Sequence, residues 1–380
     1  MPASEFMQSA LAEAIRGQGT TSPNPSVGAI VVRDGEIVGR GYTQPPGGDH
    51  AEIGALREAG ERARGSTVYV TLEPCSHFGR TPPCTNALIA AGVSTVHFAL
   101  LDPNPEVCGV GERLLREAGV EVGRDDGTDE ARRQLSGYLK HQATGLPLVV
   151  VKYAASLDGR IAASSGDSRW VSGPETLAWA HANRPGLDAI VVGSNTVVVD
   201  DPQLTARPGG TTEGAHQPMR IVLDSRGRTP DDAAVLTGDS LTLVATTDGS
   251  PAEWRERMAA RGAEVLVLPA FDGRVDLEAL IAELGNRGML TVLFEGGGVV
   301  LGSLFDRRLV DRVDAVIAPI IVGAADAPAA VAGRGIERMA QAPRLRDISV
   351  ERLGDDTLIS GTPVWPHDDA TATPTSSEER

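Results

Sequence analysis

Apolar and polar residues along the first part of the chain alternate with the periods of helices and strands. Residues 5–16 carry apolar side chains at helical spacing. The segments VGAIVV (27–32) and EIVGRGY (36–42) read as two strands joined by the tight turn Asp34–Gly35. The same patterns predict helices at 50–60, 85–92 and 112–119, and strands at 67–72 and 94–100. Helices and strands that alternate in this way predict a layered α/β fold.

The second part of the chain shows the same alternation. Buried strands are predicted at 148–154, 188–193, 220–225, 241–246, 264–269, 290–295 and 314–322, with helices at 175–183, 251–262, 277–285 and 299–309. The polar stretch 123–134 and the turn signal at 145–147 separate the two parts. We therefore expect one domain over 1–145 and another over 146–365. The small, polar and charged residues 366–380 predict a disordered acidic tail.

Composition narrows the classes of protein to be considered. The 380 residues include 35 Lys and Arg against 51 Asp and Glu, a formal net charge of −16, and 41% are hydrophobic. This hydrophobic content excludes global disorder. The negative net charge argues against a nucleic-acid partner, although a few local arginines can bind a small anion. The sequence has no apolar run of ~18 residues and has Glu5 where a signal peptide is basic. We expect a cytoplasmic protein without a membrane partner.

A metal-binding pattern is the sharpest chemical signal. His50 is followed two residues later by Glu52, and Cys75 and Cys84 each follow a proline. One imidazole and two thiolates bind zinc and leave its fourth position open to water, which is typical of catalytic sites. Zinc lowers the pKa of such a water towards ~7, and Glu52 can move a proton as in zinc deaminases. Cys108 has no such partners, and we predict a small buried residue there.

The spacing of the two cysteines, CSHFGRTPPC, exceeds the two intervening residues usual in nucleobase deaminases. With its flanking segments it resembles the bifunctional riboflavin-biosynthesis deaminase–reductase family. In the first part the resemblance rests on TSPNPSVGAIV (21–31), HAEIGAL (50–56), YVTLEPCSHFGRTPPCTNALIAAGV (69–93) and DPNPEVCGVG (102–111). In the second part it rests on ASLDGRIA (155–162), SGDSRWVSGPE (165–175), GSNTVVVDDPQLTAR (193–207), DSRGR (224–228) and FEGGGVVLGSLF (294–305).

The resemblance implies a cytidine-deaminase-like three-layer α/β/α domain followed by a dihydrofolate-reductase-like α/β domain that uses NADPH. His50, Cys75 and Cys84 would hold zinc, and Glu52 would donate and accept the proton. The pocket for the pyrimidine and its phosphoribosyl arm would be lined by Asn24, His77 and Arg80.

The second part has no strict G-x-G-x-x-G motif and no P-loop, but a glycine-rich turn at 295–305 follows a strand and opens a helix. Backbone amides of such a turn can bind a pyrophosphate. The implied cofactor contacts are Ala154, Trp170, Thr196, Asp200, Ser225, Gly297, Gly298, Val299, Val300, Leu301, Gly302 and Ser303. The implied substrate contacts are Ser168, Arg184, Leu204, Arg207 and Glu295. Arg184 and Arg207 suit a ribose phosphate, and Ser225–Arg226 could hold the 2′-phosphate of NADPH.

The family implies two successive reactions: hydrolytic removal of the 2-amino group of a diaminopyrimidinone phosphoribosylamine, then NADPH-dependent reduction of its ribosyl group. Either Lys152 or Asp200 could donate the proton in the second reaction. We also expect a homo-oligomer. Three alternatives stay open: a nucleic-acid base deaminase with an appended nucleotide-binding domain, a non-catalytic protein with a structural zinc completed by Cys108, and an enzyme with one active half.

Overall fold

The chain divides into two compact units. The computed structural model describes residues 3–78, 82–104, 107–124 and 127–366. The first unit contains residues 1–148, with the short segments 185–188 and 281–291, and the second unit contains the rest. All but the first residue of the predicted tail, 366–380, lies outside the described residues.

The first unit is built on a five-stranded mixed sheet. Its elements are α1 (Glu5–Ile15), β1 (Gly28–Arg33), β2 (Glu36–Tyr42), α2 (Ala51–Ala59), β3 (Thr67–Val70), α3 (Cys84–Ala91), β4 (Thr95–Phe98), α4 (Val110–Glu117), β5 (Glu121–Arg124), α5 (Thr128–Gln134) and α6 (Ser136–Thr144). The strand order is β2-β1-β3-β4-β5. Strand β1 is antiparallel to β2 and β3, whereas β3, β4 and β5 are parallel. The elements predicted up to residue 119 are confirmed.

Two glycines show that helices cover both faces of this sheet. A Cβ atom on Gly28 would lie 1.9 Å from the backbone oxygen of Ala10 in α1, and one on Gly41 would lie 2.1 Å from that of Ala51 in α2. Gly41 pairs with Ala29, the neighbour of Gly28, and successive residues of a strand face opposite sides. Helices α1 and α2 therefore lie on opposite faces, as the predicted α/β/α layers require.

The prediction that the polar stretch 123–134 separates the domains is wrong. The end of β5 and the whole of α5 fall within it, and α6 follows directly. Ala131, Leu135 and Tyr138 join the hydrophobic core of the first unit. Only a narrow apolar stripe faces that core, so the charged residues on the other sides of α5 hid the helical pattern.

The second unit is built on a nine-stranded sheet. The elements from residue 148 onwards are β6 (Leu148–Ser156), α7 (Pro174–Asn183), β7 (Ala189–Gly193), α8 (Ser194–Asp200), β8 (Met219–Leu223), β9 (Thr242–Thr246), α9 (Ala252–Ala260), β10 (Glu264–Val267), β11 (Ala270–Phe271), β12 (Arg274–Val275), α10 (Leu277–Asn286), β13 (Thr291–Glu295), α11 (Gly298–Asp306), β14 (Arg312–Ala318), β15 (Arg344–Leu353) and β16 (Asp356–Val364). Of these, the larger part of α10, from residue 281, belongs to the first unit. The strand order is β10-β9-β8-β7-β13-β6-β14-β16-β15, and β11 and β12 form a separate hairpin.

The predicted strands and helices of the second part are present, with two differences. Strand β10 is not buried, because it lies at one edge of the sheet. Strand β14 ends at Ala318, four residues before the predicted end. The pattern did not predict α8, the β11–β12 hairpin or the antiparallel pair β15–β16.

The parallel strands of the second unit end at a common edge. Gly193 of β7 pairs with Leu223 of β8, and Ser156 of β6 pairs with Ala318 of β14. In open α/β sheets, ligands bind outside the carboxyl ends of the strands.

Throughout the described part of the chain, no helix combines the length and the apolar character that a membrane crossing requires.

Candidate functional site

Three predicted metal ligands meet in the first unit. His50 precedes the first turn of α2, and Cys84 is the first residue of α3. The His50 Nδ1 atom lies 3.5 Å from Cys75 Sγ and 3.3 Å from Cys84 Sγ, and the three donor atoms lie within 4.8 Å of one another. Tetrahedral zinc with Zn–S and Zn–N bonds of about 2.3 and 2.0 Å places such atoms about 3.5 Å apart. The donor set therefore fits zinc.

The side chains of Cys84 and His50, together with the local backbone, favour the charged form of Cys75. The Cys84 N–H, at the start of α3, donates a hydrogen bond to Cys75 Sγ at 3.3 Å. Hydrogen bonds from the Cys84 side chain, and then from His50 and the Cys84 N–H, hold the pKa of the Cys75 thiol well below its usual value, against the opposing effect of burial. A thiolate is the form of cysteine that binds a metal, so Cys75 is ready to bind one at neutral pH.

Glu52 lies beside the three ligands in the first turn of α2 and is buried. Burial raises the pKa of its carboxyl to about 7, and the Cys75 sulfur adds to the rise. A buried carboxyl that exchanges its proton near neutral pH is suited to general acid–base catalysis.

A pocket of about 370 Å³ opens next to these residues. His50, Glu52 and Cys75 line it together with Asn24 and His77, two of the predicted substrate contacts. Among the described residues, the buried His77 Nδ1 has no hydrogen-bond partner, which suits a group that binds a ligand. The third predicted contact, Arg80, lies outside the described residues.

The pocket also contains residues to which the sequence analysis assigned no role. Asp102 is buried, and its Oδ1 accepts hydrogen bonds from the Asn104 N–H and the Tyr138 hydroxyl, both at 2.9 Å. All three residues line the pocket, and burial raises the pKa of Asp102. Asp102 and Asn104 could have been found from the sequence, because both lie in the segment 102–111 that resembles the deaminase–reductase family. No sequence signal pointed to Tyr138, because it lies on α6, a helix that the pattern of apolar residues did not predict.

Cys108 is exposed, so the prediction that it is buried is wrong. Its neighbour Val107 is 1% exposed and takes the inward position before α4. Cys108 is not part of the His50–Cys75–Cys84 group. The alternative of a structural zinc completed by Cys108 therefore loses its fourth ligand.

In the second unit, Glu295 lies between two cations at the end of β13. Its Oε1 accepts a hydrogen bond from Lys152 Nζ at 2.9 Å, and its Oε2 accepts one from Arg184 Nη2 at 2.8 Å. Burial alone would raise the pKa of Glu295, but the two cations outweigh burial and hold that pKa well below its usual range. The structure thus brings together two predicted substrate contacts, Arg184 and Glu295, with Lys152.

The other predicted substrate contacts lie on the loops around this triad. The Arg184 Nη1 donates to the backbone oxygen of Thr205 at 2.8 Å, between Leu204 and Arg207 in the chain. Leu204 is buried, and the Arg207 Nε is buried without a hydrogen-bond partner in the described part of the chain. Ser168 donates from its hydroxyl to Asp200 Oδ1 at 3.0 Å, so a predicted substrate contact lies beside a predicted cofactor contact.

The predicted cofactor contacts differ in accessibility. Trp170 is 69% exposed, so its indole is not packed in the core, and the Arg169 guanidinium lies 6.0 Å from its ring centroid. The Thr196 hydroxyl lies 3.4 Å from the Gly297 N–H at the strand edge. Ala154 is half-buried in β6, and Ser225 accepts a hydrogen bond from the Val275 N–H at 2.9 Å.

Two glycines of the glycine-rich turn allow another segment of the chain to pack closely against it. A Cβ atom on Gly298 would lie 2.2 Å from the Ala329 backbone oxygen, and one on Gly302 would lie 1.6 Å from that of Ala332. These glycines therefore allow the segment 329–333 to pack closely on α11. Leu301 is also buried, whereas Val299 is 49% exposed.

Two family models match the chain. The first, described as the cytidine and deoxycytidylate deaminase zinc-binding region, matches residues 2–100. The second, described as the RibD C-terminal domain, matches residues 147–359. The zinc-binding match includes His50, Cys75 and Cys84, and the RibD match includes Lys152, Arg184 and Glu295.

Curated relatives and solved structures match over nearly the whole chain. The riboflavin biosynthesis protein RibD of Escherichia coli is 40% identical over 363 residues, covering 93% of this chain and 97% of the relative. Acinetobacter baumannii RibD superposes with a TM-score of 0.81 at 37% identity, covering 94% of this chain and 98% of that one. A Thermotoga maritima diaminohydroxyphosphoribosylaminopyrimidine deaminase/5-amino-6-(5-phosphoribosylamino)uracil reductase has the same TM-score and coverage at 31% identity. On this evidence the chain belongs to the RibD family of riboflavin biosynthesis proteins.

Proposed function

We propose that this chain catalyses two successive reactions of riboflavin biosynthesis. The first is hydrolytic deamination of 2,5-diamino-6-(5-phosphoribosylamino)pyrimidin-4(3H)-one, and the second is NADPH-dependent reduction of the ribosyl group of the product to ribityl phosphate. The observation that carries the proposal is the His50–Cys75–Cys84 group, which meets beside buried Glu52 in a pocket. The domain limits that we propose are 1–145 for the deaminase and 146–365 for the reductase.

In the deaminase, His50, Cys75 and Cys84 would hold zinc, and zinc supplies an activated water at neutral pH. Glu52 takes the proton of the attacking water and gives it to the departing amine. Its burial keeps the carboxyl close to the pKa that both transfers need. Asn24, His77 and Arg80 bind the pyrimidine and its phosphoribosyl arm.

In the reductase, NADPH supplies the hydride. Exposed Trp170 and the Thr196–Gly297 contact at the strand edge suit such a cofactor. Arg184 and Arg207 hold the ribose phosphate, since a guanidinium pairs with phosphate oxygens. Between the two candidate proton donors, we favour Lys152, because Glu295 holds its ammonium beside Arg184, whereas Asp200 accepts a hydrogen bond from Ser168.

The proposal also includes the compartment and the oligomeric state of the enzyme. Cysteines that bind metal rather than form disulfides are typical of proteins in reducing compartments, so we place the enzyme in the cytoplasm. We also propose that it forms a homo-oligomer, as most oligomeric enzymes are built from identical subunits. Sedimentation of the purified protein measures the oligomeric state.

The test uses the full chain and the diaminopyrimidinone substrate, with and without NADPH, and identifies the products by mass. We expect ammonia and the deaminated product without NADPH, and the ribityl product with it. Glu52→Gln should lower the rate of ammonia release at least 100-fold. The same variant should still reduce substrate that was deaminated beforehand. If a folded Glu52→Gln protein loses both activities, the assignment of two separate sites is wrong.

A further inference from the structure

Helix α6 forms one wall of the pocket that contains His50 and Glu52. Tyr138, His141 and Gln142 of this helix line the pocket, and their spacing of three and four positions places them on one face of the helix. Tyr138 is buried, His141 is half-buried and Gln142 is exposed. The wall therefore runs from the depth of the pocket, where the Tyr138 hydroxyl donates to a buried carboxylate, to the mouth of the pocket.

The imidazole of His141 is anchored within the first unit. Its Nε2 lies 3.1 Å from the Gly285 backbone oxygen, and a carbonyl oxygen only accepts hydrogen bonds. Nε2 therefore carries a proton and donates it to this hydrogen bond. Gly285 is itself closely packed, because a Cβ atom there would lie 2.1 Å from the backbone oxygen of Gly145, the residue after α6. The end of α6 and the acceptor of its histidine thus lie in fixed contact.

The second ring nitrogen of His141, Nδ1, has no hydrogen-bond partner among the residues that the structure describes. In a neutral imidazole whose Nε2 carries the proton, Nδ1 is an acceptor. A hydroxyl group of a ligand can donate to such an atom. The oxygens of a phosphate dianion only accept, so they do not pair with it.

The charges around the pocket also favour a hydroxyl at this wall. Glu52, Glu73 and Asp102 line the pocket, and none of its described lining residues is a lysine or an arginine. An anionic group placed between α6 and these carboxyl groups would lack a cation to balance it. A neutral, hydroxyl-bearing part of a ligand therefore suits α6 better than a phosphate does.

We propose that His141 accepts a hydrogen bond from a hydroxyl of the ribosyl arm of the substrate. The inference rests on the proposed deaminase function and adds a residue that selects for a ribosylated pyrimidine. The reacting amine must lie at the His50–Cys75–Cys84 group, so the arm, which is attached to another ring carbon, extends towards the mouth of the pocket. His141 lies on that path, one turn of α6 beyond Tyr138.

The test measures ammonia release by the full chain from four compounds: the phosphoribosyl substrate, its 2′-deoxy and 3′-deoxy analogues, and its dephosphorylated form. His141→Phe keeps a ring but removes the acceptor, whereas the side-chain oxygen of His141→Asn can replace Nδ1 as an acceptor. His97→Phe is the matched control, because His97 stacks on Tyr69 and is not among the described residues that line the pocket. Zinc content and the reduction of substrate that was deaminated beforehand show that each variant is folded.

We expect His141→Phe to lower kcat/KM for the phosphoribosyl substrate about five- to tenfold, as one lost hydrogen bond implies, through KM rather than kcat. The dephosphorylated substrate should show the same loss. With one of the two deoxy analogues, wild type should already be slower by this factor, and His141→Phe should lower kcat/KM less than twofold further. His141→Asn should recover most of the loss, and His97→Phe should match wild type on every compound.

The inference is overturned if His141→Phe leaves kcat/KM unchanged, or if it loses the same factor on all four compounds, which indicates a structural role. A loss that disappears with the dephosphorylated substrate also overturns it, because the contact is then to the phosphate. If His141→Phe does not fold, a wild type that deaminates both deoxy analogues as fast as the parent compound overturns the inference. A wild-type protein that releases no ammonia from the phosphoribosyl substrate would instead refute the proposed deaminase function.

Discussion

Replacing Glu295 by glutamine tests whether its carboxylate holds the reductase site together. The side chain keeps its shape but loses the charge that Lys152 and Arg184 share. Only 17% of the Glu295 side chain is exposed, and 12% of each cation. Water therefore cannot replace the missing charge fully, and the variant leaves two cations facing each other.

The loss in the free energy of unfolding follows from the distances between Glu295 and its two cations. The two hydrogen bonds of 2.9 and 2.8 Å end on different oxygens of one carboxylate, so the cations lie within about 8 Å of each other. At an effective dielectric constant of about 20, their repulsion is about 2 kcal/mol. The amide can accept from only one cation well, and the lost charged hydrogen bond adds about 1.5–3 kcal/mol. The sum, about 3–5 kcal/mol, agrees with the usual cost of removing one partner of a buried ion pair.

Urea unfolding followed by a signal from the second unit measures this loss. The matched control is Glu278→Gln, which removes a 59% exposed carboxylate from Arg307 and should cost less than about 1 kcal/mol. The pH dependence has a defined sign. Because the folded pKa of Glu295 lies below its ordinary value of 4.5, its stabilisation is complete above that pH and is lost as the pH falls further. The difference between wild type and Glu295→Gln should therefore shrink from pH 5 towards pH 3.

Two results would contradict this reasoning. One is a Glu295→Gln protein within 1 kcal/mol of wild type at pH 7, which would mean that solvent screens the triad. The other is a stability difference that is constant or grows between pH 5 and pH 3, which would mean that the carboxylate is not the stabilising charge.

Two further predictions concern packing and substrate binding. Gly302→Ala should destabilise the second unit by about 3 kcal/mol or more in urea unfolding, since its Cβ would lie 1.6 Å from the Ala332 oxygen. Gly54→Ala, where the nearest atom is 3.4 Å away within helix α2, should be neutral or stabilising by up to about 1 kcal/mol, and an equal loss in both would refute the packing argument. Arg207→Ala should raise the reductase KM at least tenfold, for a lost charged hydrogen bond of about 1.5–3 kcal/mol, with deamination unchanged; an unchanged KM would remove Arg207 from the site.

The metal group could be predicted from the sequence because its chemistry is carried by residue type and spacing. A histidine two residues before a glutamate and two prolyl-cysteines already specify an open three-ligand site. The apolar periods likewise predicted most helices and strands. Helix α5 was missed because the charged residues of 128–134 outweigh its buried Ala131.

The reductase triad could not be found in the same way. Lys152, Arg184 and Glu295 are separated by up to 143 positions in the chain, and only the folded sheet brings them together. The role of Gly298 and Gly302 also depends on tertiary structure, because the segment 329–333 that packs on them gives no local signal.

Zinc content per chain tests the central claim most directly. Elemental analysis of the purified protein, run beside an ammonia-release assay, should find one zinc in wild type and in Cys108→Ala, with ammonia released by both. Cys84→Ala should lose the metal and the deaminase activity together, because only two donors of the His50–Cys75–Cys84 group are left. Zinc retained in a folded Cys84→Ala protein, or lost from Cys108→Ala, would contradict the assignment of these three residues as the metal site.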